Sequence, residues 1–152
     1  MGKYRPLTSE ELHALEKEFV DFLVLNGITG DDWVKMKEQS PESATEMTEL
    51  FADVVWEGIL RKAQYLMHRS SSSIKCFQCL SDQIVLVAMD SRTVDLIHDF
   101  DSVSSGQRAS EVKVYTTTKA YNTTREEELF SMISNGCEIT EGQLFKKLCM
   151  LL

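Results

Sequence analysis

Apolar and polar positions change their period along this chain, and the changes divide it. From residue 9 to 25, Leu12, Leu15, Phe19 and Phe22 recur every three or four positions, widened by Leu23. That spacing gathers them on one helix face. Thr8 and Glu11 have capping-box spacing, and Asn26-Gly27 is a stop signal, so one helix is predicted over 9–25. A short second helix follows, capped near Thr29 or Asp31 and anchored by Trp33 and Met36. Ser40-Pro41 opens a third, with proline at the first helical position, where its missing N–H costs nothing. Met47, Leu50, Phe51, Val54, Val55, Ile59, Ala63 and Leu66 then cover most of the circumference of a long helix to about His68, extended by Trp56, Leu60 and Met67. A narrow polar strip through Glu46, Asp53, Glu57, Arg61 and Gln64 remains. Such a helix is expected at the centre, packed on two or more sides.

The period shortens after the serine run Ser70–Ser73. Residues 74–79 and 83–89 are β-favouring runs split by Leu80-Ser81-Asp82, which predicts an antiparallel hairpin. The second run is apolar on both faces and belongs inside a sheet. Thr93–Phe100 alternates weakly, and Val112 and Val114 alternate with Lys113 and Tyr115. Two helices close the chain. Thr123 and Thr124 precede Arg125 and three glutamates, Asn135-Gly136 stops the first helix, and Thr140 with Gln143 repeats the capping-box spacing. Leu144, Phe145, Leu148, Leu151 and Leu152 make the last segment apolar enough to dock on the domain or on a second copy. The fold expected is α+β around one core. Residues 1–68 form a helical part with three N-terminal helices, 74–118 a three- or four-stranded antiparallel sheet, and 124–152 a helical hairpin. Residues 1–152 read as one domain.

Composition narrows the function. Of 152 residues, 43% are apolar and 26% charged, ordinary globular usage that argues against wholesale disorder. The net charge is −8, and the first 66 residues are the most acidic, with seven Lys/Arg against thirteen Asp/Glu. Nucleic acid and anionic membranes are bound largely through Lys and Arg, so neither is expected as a partner. No apolar run approaches the roughly 20 residues of a membrane span. The first residues lack the apolar stretch of a secretory signal, so a cytoplasmic setting with reduced thiols is expected.

Few residues carry chemistry. Cys76-Phe77-Gln78-Cys79 is the one pattern with a recognised meaning, since a Cys-x-x-Cys pair supplies two thiolates to zinc or a redox disulfide. Zinc needs four ligands, and no second pair follows; on a strand, residues three apart also face opposite sides. Cys76 and Cys79 are therefore the candidate metal residues, beside the plainer reading of four reduced cysteines, and no cofactor is expected. Asp99-Phe100-Asp101 invites calcium, but Val103, Ser104 and Ser110 break the EF-hand pattern. Glu57 and Arg61 sit four apart, with His68-Arg69 farther on. They describe either a site for an anionic ligand or an ordinary ion pair and helix-terminal cations. No nucleophile elbow, phosphate loop or dinucleotide-binding turn occurs, so enzyme activity has no sequence support.

Lys3-Tyr4-Arg5-Pro6-Leu7-Thr8, Asp31-Asp32-Trp33, the run from Leu50 to Glu57, and Tyr65-Leu66-Met67-His68-Arg69 resemble a domain-of-unknown-function family of small intracellular proteins from Bacteroidetes-type bacteria. The likeness covers the N-terminal helices and the first hairpin, and it implies a bacterial, cytoplasmic setting. The function expected is a non-catalytic binding or adaptor module acting through protein–protein contacts or self-association, at the C-terminal helix or Trp33. One alternative is a zinc or redox protein using Cys76 and Cys79. Another is a small-molecule pocket between the long helix and the sheet. Trp33, Trp56, Glu57, Arg61, Tyr65, His68 and Arg69 are the candidate contacts.

Overall fold

Local capping decides where the first helices begin. The computed structural model describes residues 2–152, which group into two compact units divided in sequence between Ile59 and Leu60. In the first unit, the Thr8 hydroxyl accepts from the Glu11 N–H at 3.1 Å while the Glu11 carboxylate accepts from the Thr8 N–H at 2.9 Å. This box starts α1 (Ser9–Ala14). The helix expected over 9–25 is broken at Leu15, after which α2 runs Glu16–Leu25. Leu15 leaves helical geometry, and its N–H is shared between the Glu11 and Leu12 carbonyls. Ile28 N–H returns to Leu23 O at 2.9 Å and Gly27 N–H to Val24 O at 3.0 Å, closing α2 in a Schellman turn. Thr29 and Asp32 form a second capping box for α3 (Gly30–Gln39). α4 (Pro41–Lys62) follows directly.

The core of this unit is aromatic. Phe19, Leu23 and Phe51 are buried, and Leu12, Phe22, Trp33, Met47 and Val55 pack around them. Phe19 meets Phe51 at 5.0 Å and Trp33 edge-on at 5.2 Å between ring centroids. The N-terminal arm lies on α4. Lys3 and Tyr4 donate their N–H groups to Asp53 at 2.8 and 2.9 Å, and the Tyr4 hydroxyl donates to Glu57 at 2.7 Å. α4 is less enclosed than its sequence suggests: Leu50, Val54 and Ile59 are 52%, 57% and 41% exposed.

The second unit, Leu60–Leu152, is built on a five-stranded antiparallel sheet of order β4-β3-β2-β1-β5. The strands are β1 (Tyr65–Arg69), β2 (Ser73–Cys79), β3 (Gln83–Ser91), β4 (Val112–Ala120) and β5 (Glu138–Thr140). The hairpin expected between residues 74 and 89 is β2–β3, and β3 is paired on both sides, as its two-sided apolar pattern requires. Three differences separate this sheet from the three- or four-stranded one expected. Residues 65–69 continue the apolar spacing of α4 yet form β1, because β2 and β5 flank them on both edges. Thr93–Phe100 is not a strand; its alternation buries Val94 and Leu96 ahead of α5 (Phe100–Ser104). The C-terminal helices α6 (Arg125–Ser134) and α7 (Gln143–Cys149) are separated by β5 and so are not a simple hairpin. The expected cap at Thr140 also moves. Thr140 pairs with Tyr65, and α7 starts from Gly142 at φ +89°, where a Cβ would meet the Tyr65 ring at 2.7 Å.

The strand faces bury different sets. Ile74, Cys76, Val87 and Met89 pack with Val94, Leu96, Phe100, Val103, Phe145 and Leu148. Leu148 is fully buried there, so the C-terminal helix spends its apolar face inside this unit and leaves Met150 and Leu152 exposed. On the other side, Met132 of α6 shares a hollow with Phe77, Ile84 and Leu86. No helix among the described residues is long and apolar enough to cross a membrane.

Phe51→Ala is expected to cost about 3–5 kcal/mol, read by urea denaturation, whereas Val54→Ala should stay within about 0.5 kcal/mol of the parent. Comparable losses at the two positions would show that the exposed face of α4 is packed after all.

Candidate functional site

β1 ends in a positive charge held in an unusual way. Arg69 Nε donates to the Leu96 carbonyl at 3.0 Å, Nη2 donates to the same oxygen, and Nη2 also donates to Ile97 O at 3.3 Å. The guanidinium lies 5.4 Å from the centroid of the Phe100 ring. Carbonyl oxygens and an aromatic face stabilise the cation without neutralising it. Arg69 is half-buried, and it forms no ion pair among the described residues. Arg125 makes the informative contrast. It clamps the Leu60, Ala63 and Cys79 carbonyls in the same manner, but Glu126 lies 3.6 Å away.

Arg69 opens onto a cleft of about 500 Å³. Met67 of β1, Thr140 of β5, Gln143, Leu144 and Lys147 of α7, and Ile97, His98, Phe100 and Asp101 complete its wall. The period-2 geometry of β1 puts Tyr65, Met67 and Arg69 on one face. Helical spacing brings Gln143, Leu144 and Lys147 to one side of α7. Lys147 is exposed and, like Arg69, has no carboxylate partner among the described residues. His98 is engaged: its Nδ1 lies 2.7 Å from the Asp95 carboxylate, which raises the imidazole pKa above its ordinary value and holds Asp95 below the usual carboxylate range. Asp101 is the one acid in the wall, against Arg69 and Lys147, in a chain of net charge −8. A larger hollow of about 850 Å³ beside Ser72 and Ser73 differs in this respect, because Asp90 and Glu111 balance Arg92 and Lys113.

The residues singled out in the sequence scatter. Trp33 is half-buried against Phe19, and Trp56 is buried beneath Arg5, 5.0 Å from its ring. Glu57 accepts from Tyr4 and Lys3, and Arg61 is exposed on the last turn of α4. Tyr65 packs on Phe145 at 5.5 Å, just outside the cleft lining, and His68 is an exposed residue of β1 opposite Lys75. Arg69 alone of the seven lines the cleft. Lys147 carries no sequence signal, and Gln143 and Phe100 stand out only for a cap and a calcium loop, because the cleft is assembled from segments far apart in the chain. Cys76 packs in the core with Phe145 and Leu148, while Cys79, three residues on along β2, falls on the opposite strand face. Burial pushes the Cys76 thiol up to about 12 and the Cys79 thiol up to about 11, so both are protonated near neutral pH. Among the described residues no group of three His, Cys, Asp or Glu is placed to hold a metal ion.

Two measurements check this electrostatic picture. A raised histidine pKa favours the folded state fully below the unfolded value of about 6.5 and loses its effect as the pH climbs through the folded value. In an NMR titration His98 should therefore show a midpoint above about 6.5, returned to the reference by Asp95→Asn; a midpoint at or below the reference in the parent would mean the pair does not form. Towards a thiol reagent, exposed Cys149 should react first, and Cys76 and Cys79 only on unfolding. Fast labelling of Cys76 in the native protein would contradict its burial.

The profile of a family of unknown function (DUF6495) matches residues 1–152, the whole chain and not only the segments in which a likeness was legible. Comparison with curated proteins and with solved structures gave no match. The chain belongs to the DUF6495 family.

Proposed function

We propose that this chain is a bacterial cytoplasmic binding module that takes a small anionic ligand in the Arg69–Lys147 cleft, with no chemistry asked of it. The observation that supports the reading is the half-buried Arg69 guanidinium. It is fixed by two carbonyls and a ring, has no carboxylate partner among the described residues, and borders a cleft shared with Lys147. A charge kept partly out of water without a counter-ion is costly unless something supplies one, and a bound anion does. Met67, Ile97, Phe100 and Leu144 give the cleft apolar wall for the body of such a ligand, with Thr140, Gln143 and Asp101 as polar groups to orient it. The site lies within the Leu60–Leu152 unit.

A second reading, an adaptor working through protein contacts, draws support from α4. Leu50 and Val54 stand one turn apart and are more than half exposed, a small apolar strip of the kind interfaces use. The C-terminal helix does not serve that reading through Leu148, which is buried in its own unit.

A thermal-shift series with benzoate, phenyl phosphate and uncharged benzamide separates the two. Ligand at about 100 times its Kd stabilises by about 2.7 kcal/mol, so at least one of the anions should raise Tm, benzamide should not, and Lys147→Met should remove the rise. Equal shifts with benzamide, or none with either anion, would refute the anion site.

A further inference from the structure

The donors that Arg69 has left restrict which anion fits. A guanidinium offers two forked edges, each able to grip a planar carboxylate with two parallel N–H bonds. The Nε/Nη2 edge of Arg69 is spent on Leu96 O, and the remaining Nη2 hydrogen is aimed at Ile97 O. Only Nη1 keeps both hydrogens, so neither fork is whole. The other uncompensated cation of the cleft, Lys147, stands on a different element and acts as a point charge with three rotatable donors. One amino group of a guanidinium and a separate ammonium suit an anion that offers several oxygens in different directions. A flat carboxylate, matched to a fork, gains little here. His98 adds no further free cation, since Asp95 already engages it.

Resting on the anion-site reading above, we infer that the ligand is a small organic phosphate monoester. Its phosphoryl oxygens lie between Arg69 Nη1 and Lys147, and its organic part lies along Met67, Ile97, Phe100 and Leu144. The phosphoryl group of such a ligand carries about −1.5 to −2 charges at pH 7 and three acceptor oxygens, the number and arrangement that this pair of donors calls for.

Isothermal titration of the full chain with phenyl phosphate and with benzoate, which share the same ring, tests the choice of anion. Phenyl phosphate should bind at least about tenfold more tightly, and Lys147→Met should reduce that preference to within about twofold. Lys147 is exposed, so this variant keeps the fold; circular dichroism on the same sample verifies it. Arg69 also holds the Leu96 segment, so Arg69→Lys is the gentler change there and should weaken phenyl phosphate without restoring benzoate. Equal or tighter binding of benzoate leaves a small-anion site standing and overturns the phosphate assignment. An unchanged preference in Lys147→Met overturns it too. Binding of neither compound overturns the anion site and the assignment together.

Discussion

A guanidinium bonded to carbonyls instead of a carboxylate keeps its charge, and the functional reading of this fold depends on that. Arg69 fastens the end of β1 to Leu96 and Ile97, twenty-seven and twenty-eight residues farther along the chain, and covers the Phe100 ring. The same contacts that fix the segment before α5 leave one amino group uncommitted on an arginine that lines a cleft. At Arg125 the clamp is similar and the outcome differs, because Glu126 lies beside it. Structure and candidate site are thus one arrangement at Arg69: the carbonyls hold the side chain still, and the lack of an acid leaves its charge available.

The cysteines illustrate how backbone period controls chemistry. Three residues apart on an extended strand, Cys76 and Cys79 reach opposite strand faces, and burial keeps both thiols protonated. The same two residues in the first turn of a helix would lie side by side. A Cys-x-x-Cys pattern therefore carries its usual meaning only once the secondary structure beneath it is known.

How much could be read from the chain follows from which contacts are local. Capping at Thr8 and Thr29, the stop at Asn26-Gly27 and the β2–β3 hairpin rest on neighbours within a few residues, and all four are legible. β1 is not legible. Tyr65–Arg69 lacks a glycine or proline before it and continues the spacing of α4, so its strand character comes from β2 and from three residues of β5 far along the chain. The Thr140–Gln143 spacing imitates a cap for a similar reason: Thr140 is paired with Tyr65 of β1, far back in the chain, and α7 starts instead from Gly142 in the left-handed conformation, where the Tyr65 ring leaves no room for a Cβ. In the sequence Arg69 reads as a cation at the end of the long helix, and neither its carbonyl partners nor Lys147 is legible there. Leu50 and Val54 mislead in the opposite direction, apolar in pattern and yet exposed.

The most direct test of the Arg69–Lys147 site is two-dimensional NMR of the labelled full chain during titration with phenyl phosphate. Shift changes should concentrate on the Arg69 side-chain N–H groups and on the backbone amides of Ile97, Phe100, Leu144 and Lys147, while the amides of α2 and α4 stay still. Changes centred on Leu50 and Val54, or a spectrum that does not move at saturating ligand, would contradict an anion site at the end of β1.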